Sequence, residues 1–463
     1  MKKKHLVIVG VIILSAIVIL GLYQTFALSG DITKDTNGYY NVTVTDGTTV
    51  TVPAGSTKTV YYKLTNTNKG IVKYGVGYSG TNITVKYYTD TQDPVTGTVD
   101  YGKSKFIKLY IENSGTTSST ATLSTILGYE NGGDLIVPSG VTLVSKALTM
   151  SNFITNLYNK SVKTNVTNNS ITYQYDTTHN LMKDNAGNIR YYGASPNNYI
   201  YFNCSGYSNQ SSSTCETWRI IGVFEGKVKL IRGSQIGTYS WDNKNTSTGA
   251  ENAYGKNDWT DSRLMKLLNP GYESETTGGS LYYNAKSGNC YSGKNNATTT
   301  CNFTSTGIKN AETRNLISDT TYYLGGWNSS SVYPNQIYEY ERGTTVYTGR
   351  PTTWTGKIAL AYPSDYGYAV DLSKCGQTLY KYDNSTCTSN NWMKTIIVPN
   401  YGWLLTPGSG SSDVAWGVGS SGLVSYYYTV YGPYGVVPVL SLNSELGIKS
   451  GTGTSSAPYQ LSI

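Results

Sequence analysis

The residues best equipped for chemistry in this chain are six cysteines and a crowded run of aromatic residues near the C-terminus. Cys204 and Cys215, Cys290 and Cys301, and Cys375 and Cys387 each bracket a short polar, turn-rich stretch. Thiols so placed serve zinc or disulfides. Zinc sites draw on close C-x2-C pairs or on histidines, and here no such pair occurs and His5 and His179 are the only histidines. Sequential disulfides are the expected use, and they fit an oxidising compartment. With His179 as the one histidine beyond the N-terminal tip, neither a histidine-based nucleophile relay nor a histidine-rich metal site can be assembled. The carboxylates Asp242, Glu312, Glu339, Glu341, Asp365 and Asp371 show no spacing that selects a general acid and base. A glycosidase pair brought together by the fold is the catalytic reading left open. No cofactor or metal is expected.

The aromatic run carries the stronger signal. Trp416 precedes a Gly419-Ser420-Ser421-Gly422 turn, and Tyr426, Tyr427, Tyr428, Tyr431 and Tyr434 follow it. Successive side chains of a strand alternate faces, so these tyrosines cannot all enter one core. Flat amphipathic rings with hydroxyl tips are the chemistry of adaptable recognition surfaces. Trp416 and the five tyrosines are therefore the expected ligand contacts. The competing reading is a tyrosine-rich strand stacked on a sheet with no ligand.

Composition supports a β-rich chain. There are 44 tyrosines against 6 phenylalanines, and only 14% of residues are charged. Tyrosine suits pleated, half-buried surfaces. The net charge of +8 is thinly spread, with no basic block, which argues against nucleic acid as a partner.

The elements that must position these residues fall into four stretches. Residues 1–28 begin with Lys2, Lys3 and Lys4 and continue as an apolar run from 6 to 22 extended by Tyr23 and Phe26. That is long enough to cross a bilayer, and the lysines place the N-terminus in the cytoplasm. A signal-anchor is expected, with a signal peptide cleaved after Ala27 as the rival. Residues 38–136 alternate apolar and polar positions, as in Thr59-Val60-Tyr61-Tyr62-Lys63-Leu64, between turn signals. They predict an antiparallel β-sandwich that resembles the Ig-like spacers of bacterial surface proteins. Residues 137–170 predict a helical stalk, capped at Thr149 or Ser151, and a polar linker. Residues 171–463 combine short strands, a capped helix across 258–271, a second near 308–317 and long disulfide-stapled loops, an α+β pattern.

Four landmarks in that last stretch occur in a fixed order. They are Trp218-Arg219-Ile220-Ile221; then Trp259, Ser262, Leu264, Leu268 and Asn269; then Gly402-Trp403-Leu404-Leu405-Thr406-Pro407-Gly408; then Gly435-Val436-Val437-Pro438-Val439-Leu440-Ser441-Leu442. Together they resemble a family of exported bacterial domains, over most of 171–463. The resemblance implies a C-type-lectin-like fold, of the kind seen in formylglycine-generating enzymes and hypervariable bacterial receptors, with long loops presenting a ligand face. Two positions depart from the family pattern: Leu405 and Val437 stand where it has arginines. The copper-binding cysteine pair of formylglycine-generating enzymes has no counterpart here, since all six cysteines fit local loops.

The expectation is a single-pass membrane protein with its bulk outside the cell, acting as an adhesin or receptor rather than an enzyme. Its partner would be a glycan or a protein at the cell exterior. A structural envelope protein without a soluble ligand is the alternative, and a carbohydrate-active enzyme a more distant one.

Overall fold

The computed structural model describes residues 27–34, 40–44, 49–66, 71–87, 93–128, 135, 137–146, 148–251, 254–291, 293–294, 296–399 and 401–463. The expected anchor at 1–28 lies outside this set except for Ala27 and Leu28, which do not belong to it: they open a strand, Ala27–Lys34, that pairs with Thr57–Asn66. Among the described residues no helix is long and apolar enough to cross a membrane. The chain divides into two compact units, 1–148 and 149–463.

The first unit is a β-sandwich. Alternation in sequence becomes alternation in burial: in Thr57–Asn66 and Ser104–Asn113 the inward positions are Tyr62, Leu64, Ile107, Leu109 and Ile111. These two strands pair antiparallel in a six-stranded sheet. The opposing sheet centres on Val72–Ser79 paired with Ser119–Gly128. Val50, Val52, Tyr74, Val76 and Leu123 meet the first sheet's apolar face in a single core. Asn113 and Asn66 are buried but satisfied, since their side-chain amides donate to Val52 O and Val99 O at 2.9 Å each.

Residues 137–170, read from sequence as a stalk and linker, are shared between the units. Thr142–Leu143 and Ser145–Lys146 add strands to the two sandwich sheets. The helix Met150–Lys160 forms, with Thr149 Oγ1 accepting from Asn152 N at 3.2 Å as its cap. Its Met150, Ile154 and Tyr158, four residues apart, are buried in the main core of the second unit. Thr164–Asn168 is no linker either: it pairs antiparallel with Ile171–Asp176 as the edge of the large sheet.

That sheet has nine strands, with Glu216–Phe224 and Lys227–Arg232 near its centre. The run Trp218-Arg219-Ile220-Ile221 is buried on both faces because both faces of the sheet are covered. Ile220 and Leu230 enter one core, whereas Ile221 and Ile231 enter another. A second sheet of five strands carries the aromatic run: Thr238–Tyr239, Tyr434–Gly435, Gly402–Pro407, Val414–Val418 and Val424–Thr429, in that order.

The sequence landmarks are anchors of this architecture. The stretch expected as one helix from 258 is a 3-10 turn, Trp259–Asp261, followed by the helix Arg263–Leu268. Ser262 separates them because its hydroxyl caps Met265 N at 3.1 Å. Asn269 then ends the helix, bonding Met265 O and Ile358 O through its amide and accepting from Lys357 N and Ile358 N. Leu405 and Val437 are buried among aliphatic and aromatic neighbours.

The three disulfides are the expected sequential ones, with separations of 11, 11 and 12 residues, and no described cysteine is free. Loops of this size contribute roughly 2–3 kcal/mol each in the chain-entropy account.

Candidate ligand-binding face

The aromatic run is built on a hairpin. Val414–Val418 and Val424–Thr429 pair antiparallel around a turn in which Gly422 takes φ +102°, a conformation that favours glycine. Val418 faces Val424 and Gly417 faces Ser425, but Ala415 faces Tyr428. The second strand thus holds one extra residue, a β-bulge at Tyr426–Tyr427. Alternation fails there, and the six aromatic residues expected as one contact surface go to three places.

Trp416 is fully buried. Its indole Nε1 donates to Trp327 O at 3.2 Å, and its ring lies 6.0 Å from Tyr426. It supports the hairpin from inside and has no surface to offer a ligand, which corrects the sequence expectation. Tyr426 lies over it, and the bulge brings the Tyr427 ring to 3.9 Å from Tyr426. The hydrogen bond between these two hydroxyls pushes the Tyr426 phenol up to about 12. Tyr427 is the most exposed of the run, at 65%.

Tyr428 turns the other way. Its ring lies 5.2 Å from Tyr434 and 5.8 Å from Tyr401, and Tyr401 lies 5.6 Å from Tyr434. Three phenol rings therefore form a triangle, with the Trp403 ring 4.8 Å from Tyr434 and 6.4 Å from Tyr428. Trp403 is buried and held by its Nε1 donating to Tyr239 O at 2.8 Å. Gly417 lets the Tyr428 ring lie close over the sheet, since a Cβ there would stand 2.8 Å from it. Burial pushes the Tyr428 and Tyr434 phenols up, so both stay protonated donors at neutral pH. Tyr401 is 46% exposed. None of the three hydroxyls has a protein hydrogen-bond partner among the described residues.

Tyr431 occupies a third place. Its ring is 5.1 Å from Tyr254, and the Lys294 ammonium lies 5.6 Å from Tyr431 and 5.4 Å from Tyr254. This is a cation held between two aromatic faces. Tyr401 was not singled out from sequence, and Trp403 only as part of a landmark, not as a site residue. Their signal was the spacing of two, with Tyr401 just before and Trp403 just inside the strand that opens at Gly402.

Other chemistry-bearing groups lie inside the unit. His179 Nδ1 sits 2.7 Å from Asp176 Oδ2, and Asp176 Oδ1 accepts from the amides of Thr178 and His179, so the pair locks a turn. Asp242 is buried and accepts from Lys256 N and Arg263 N. Glu341 is buried, with Ser364 N at 2.8 Å, Ser364 Oγ at 2.5 Å and Arg342 Nη1 at 3.3 Å. Burial pushes its carboxyl up to about 7, against the opposing pull of Arg342 and Ser364. A carboxyl raised on folding holds its proton more tightly in the native state, so its contribution is greatest at acid pH. Stability from Glu341 is expected to fall as pH rises from about 4.5 towards 7. Urea titrations across that range should show the loss, and Glu341→Gln should flatten it; an unchanged pH slope in the variant would contradict this assignment. Among the described residues no cluster of three metal-ligating side chains occurs.

Compared with known proteins, the chain matches no protein-family model and no curated protein.

Proposed function

We propose that this chain is a cell-surface binding protein whose ligand face is the tyrosine triangle of Tyr401, Tyr428 and Tyr434. The apolar run from residue 6, ending before the strand that opens at Ala27, anchors it in the membrane with the N-terminus cytoplasmic. The sandwich serves as an Ig-like spacer, and the second unit as a C-type-lectin-like domain. The observation that carries the reading is three packed phenols whose hydroxyls have no protein partner among the described residues. Their rings are ordered by one another and by Trp403, so little side-chain freedom is left to lose on binding. Their π faces attract the polarised C–H bonds of a sugar ring, while the hydroxyls can bond its hydroxyls. A glycan uses both properties at once. Three disulfides suit an oxidising exterior.

The test is binding of the full-length protein to immobilised oligosaccharides, mucins and cell-wall polymers. Saturable binding to a glycan is expected, and Tyr401→Ala should weaken it at least about tenfold. Because Tyr401 is half out in solvent, its thermal midpoint should stay close to that of the parent. Undiminished binding by the folded variant would refute the assignment of this face.

A further inference from the structure

Arg219 presents a buried positive charge without an acidic partner. It is 6% exposed, with its guanidinium 3.7 Å from the Tyr199 ring centroid and 4.8 Å from that of Trp392. Asn198 Oδ1 accepts from Nε at 2.5 Å, and Pro196 O from Nη2 at 3.3 Å. Both acceptors are neutral. Among the described residues Arg219 forms no ion pair, whereas Arg190, Arg232, Arg342 and Arg350 each meet a carboxylate. Stripping a guanidinium of water without a counter-charge is costly, so its retention calls for an anion.

The guanidinium lines a cavity of about 400 Å³, bordered also by Tyr199, Glu216, Thr217, Ser234 and Thr395. Glu216 does not neutralise Arg219, because both its oxygens are taken by Arg232, at 2.9 and 3.2 Å. The cavity therefore holds one uncompensated cation, an aromatic wall and several hydroxyls. Its volume falls in the range of about 300–1,000 Å³ typical of small-molecule sites.

It also adjoins the tyrosine triangle. Ser234 is followed by Gln235, whose side chain packs against Gly435 beside Tyr434. The Gln235 amide donates to Ile397 O at 2.8 Å, one residue from Ile396 in the cavity wall. Gly435 N in turn donates to Tyr401 O at 2.7 Å.

We infer that this cavity takes the carboxylate of an acidic sugar, with Arg219 as its counter-ion, within a glycan whose neighbouring rings lie on Tyr401, Tyr428 and Tyr434. The inference rests on the proposed glycan-binding face and names the ligand class: a polymer or oligosaccharide containing uronic-acid-type residues. A planar guanidinium matches a carboxylate through paired N–H donors. Tyr199 and Trp392 pack against the guanidinium and limit its movement, while Thr217, Ser234 and Thr395 offer partners for the sugar hydroxyls. Burial lowers the Arg219 pKa to about 10, which leaves it charged at neutral pH.

The experiment is calorimetric titration of the full-length protein with glucuronate, methyl glucoside and a short neutral peptide bearing a free C-terminal carboxylate. Glucuronate should bind saturably, and Arg219→Gln should weaken it about tenfold or more. Thr395→Trp, at an exposed position on the cavity mouth, should do the same by filling it, which covers the case in which Arg219→Gln fails to fold. Equal glucuronate binding by the parent and Thr395→Trp would overturn the inference, as would no glucuronate binding or a preference for the peptide. The two claims separate cleanly. Loss of all glycan binding in Tyr401→Ala with none in Arg219→Gln keeps the tyrosine face and sinks the cavity. Loss of glucuronate in Arg219→Gln with no effect of Tyr401→Ala on any glycan does the reverse.

Discussion

Replacing Asp365 with alanine is expected to cost about 3–5 kcal/mol of stability, the usual penalty for removing one partner of a buried ion pair. Asp365 is the hub of a fully buried network. Its Oδ1 accepts from Arg190 Nη1 at 2.9 Å, and its Oδ2 accepts from Lys229 Nζ and from Tyr362 N. Arg190 reaches onward to Asp184 through Nε at 2.6 Å, and its guanidinium lies over Phe224 and Tyr368. Burial alone would raise the Asp365 carboxyl, but Lys229 and Arg190 more than reverse this and hold it below its ordinary value. A carboxyl depressed on folding contributes stability above its unfolded pKa and loses it as pH falls through the folded one. The loss in Asp365→Ala should therefore be full at pH 7 and shrink in strong acid. Urea denaturation at both pH values measures it. A change under about 1 kcal/mol at pH 7 would mean that the network is hydrated rather than sealed.

Trp416→Ala should be about as damaging, roughly 3–5 kcal/mol, the range for truncating a buried tryptophan. Trp416 fills the space between the hairpin and the Trp327–Tyr340 stack, whose rings lie 3.7 Å apart, and its loss also leaves Trp327 O without its donor. Trp416→Phe, which keeps most of the apolar volume, should recover more than half of the loss. Tyr401→Ala should stay within about 0.5 kcal/mol of the parent, as exposed positions do. If Trp416→Ala were neutral in chemical denaturation, the side chain would be a surface contact after all.

Much of the fold was legible because it rests on local rules. The sandwich strands announce themselves by period-two alternation, and the disulfides by three loops of near-equal length. Thr149 read correctly as a helix cap and Asn269 as a helix stop because such signals act within a few residues, whereas Ser262, expected inside a helix from 258, is the cap that starts it. The rest depends on partners distant in sequence. An amphipathic helix such as Met150–Lys160 has one pattern whether it bridges two domains or lays Met150, Ile154 and Tyr158 on a core, and only the core decides. Trp416 looked like a contact residue because its burial is set by Trp327 and Tyr340, which no spacing links to it. The bulge at Tyr426–Tyr427 defeated the alternation rule, and with it the division of the tyrosines between faces. Tyr401 joined the site through Tyr428 and Tyr434, more than twenty residues away, and Arg219 stood out only once the nearby Glu216 was seen to be taken by Arg232.

The most direct test compares Tyr401→Ala with Tyr427→Ala in binding to whichever glycan the parent protein retains. Both tyrosines are exposed, both substitutions are mild, and they differ in whether the ring belongs to the triangle. A loss of about tenfold or more for Tyr401→Ala, with Tyr427→Ala within about twofold of the parent, is the expected outcome. The opposite ranking, or equal losses, would contradict the tyrosine triangle as the ligand face.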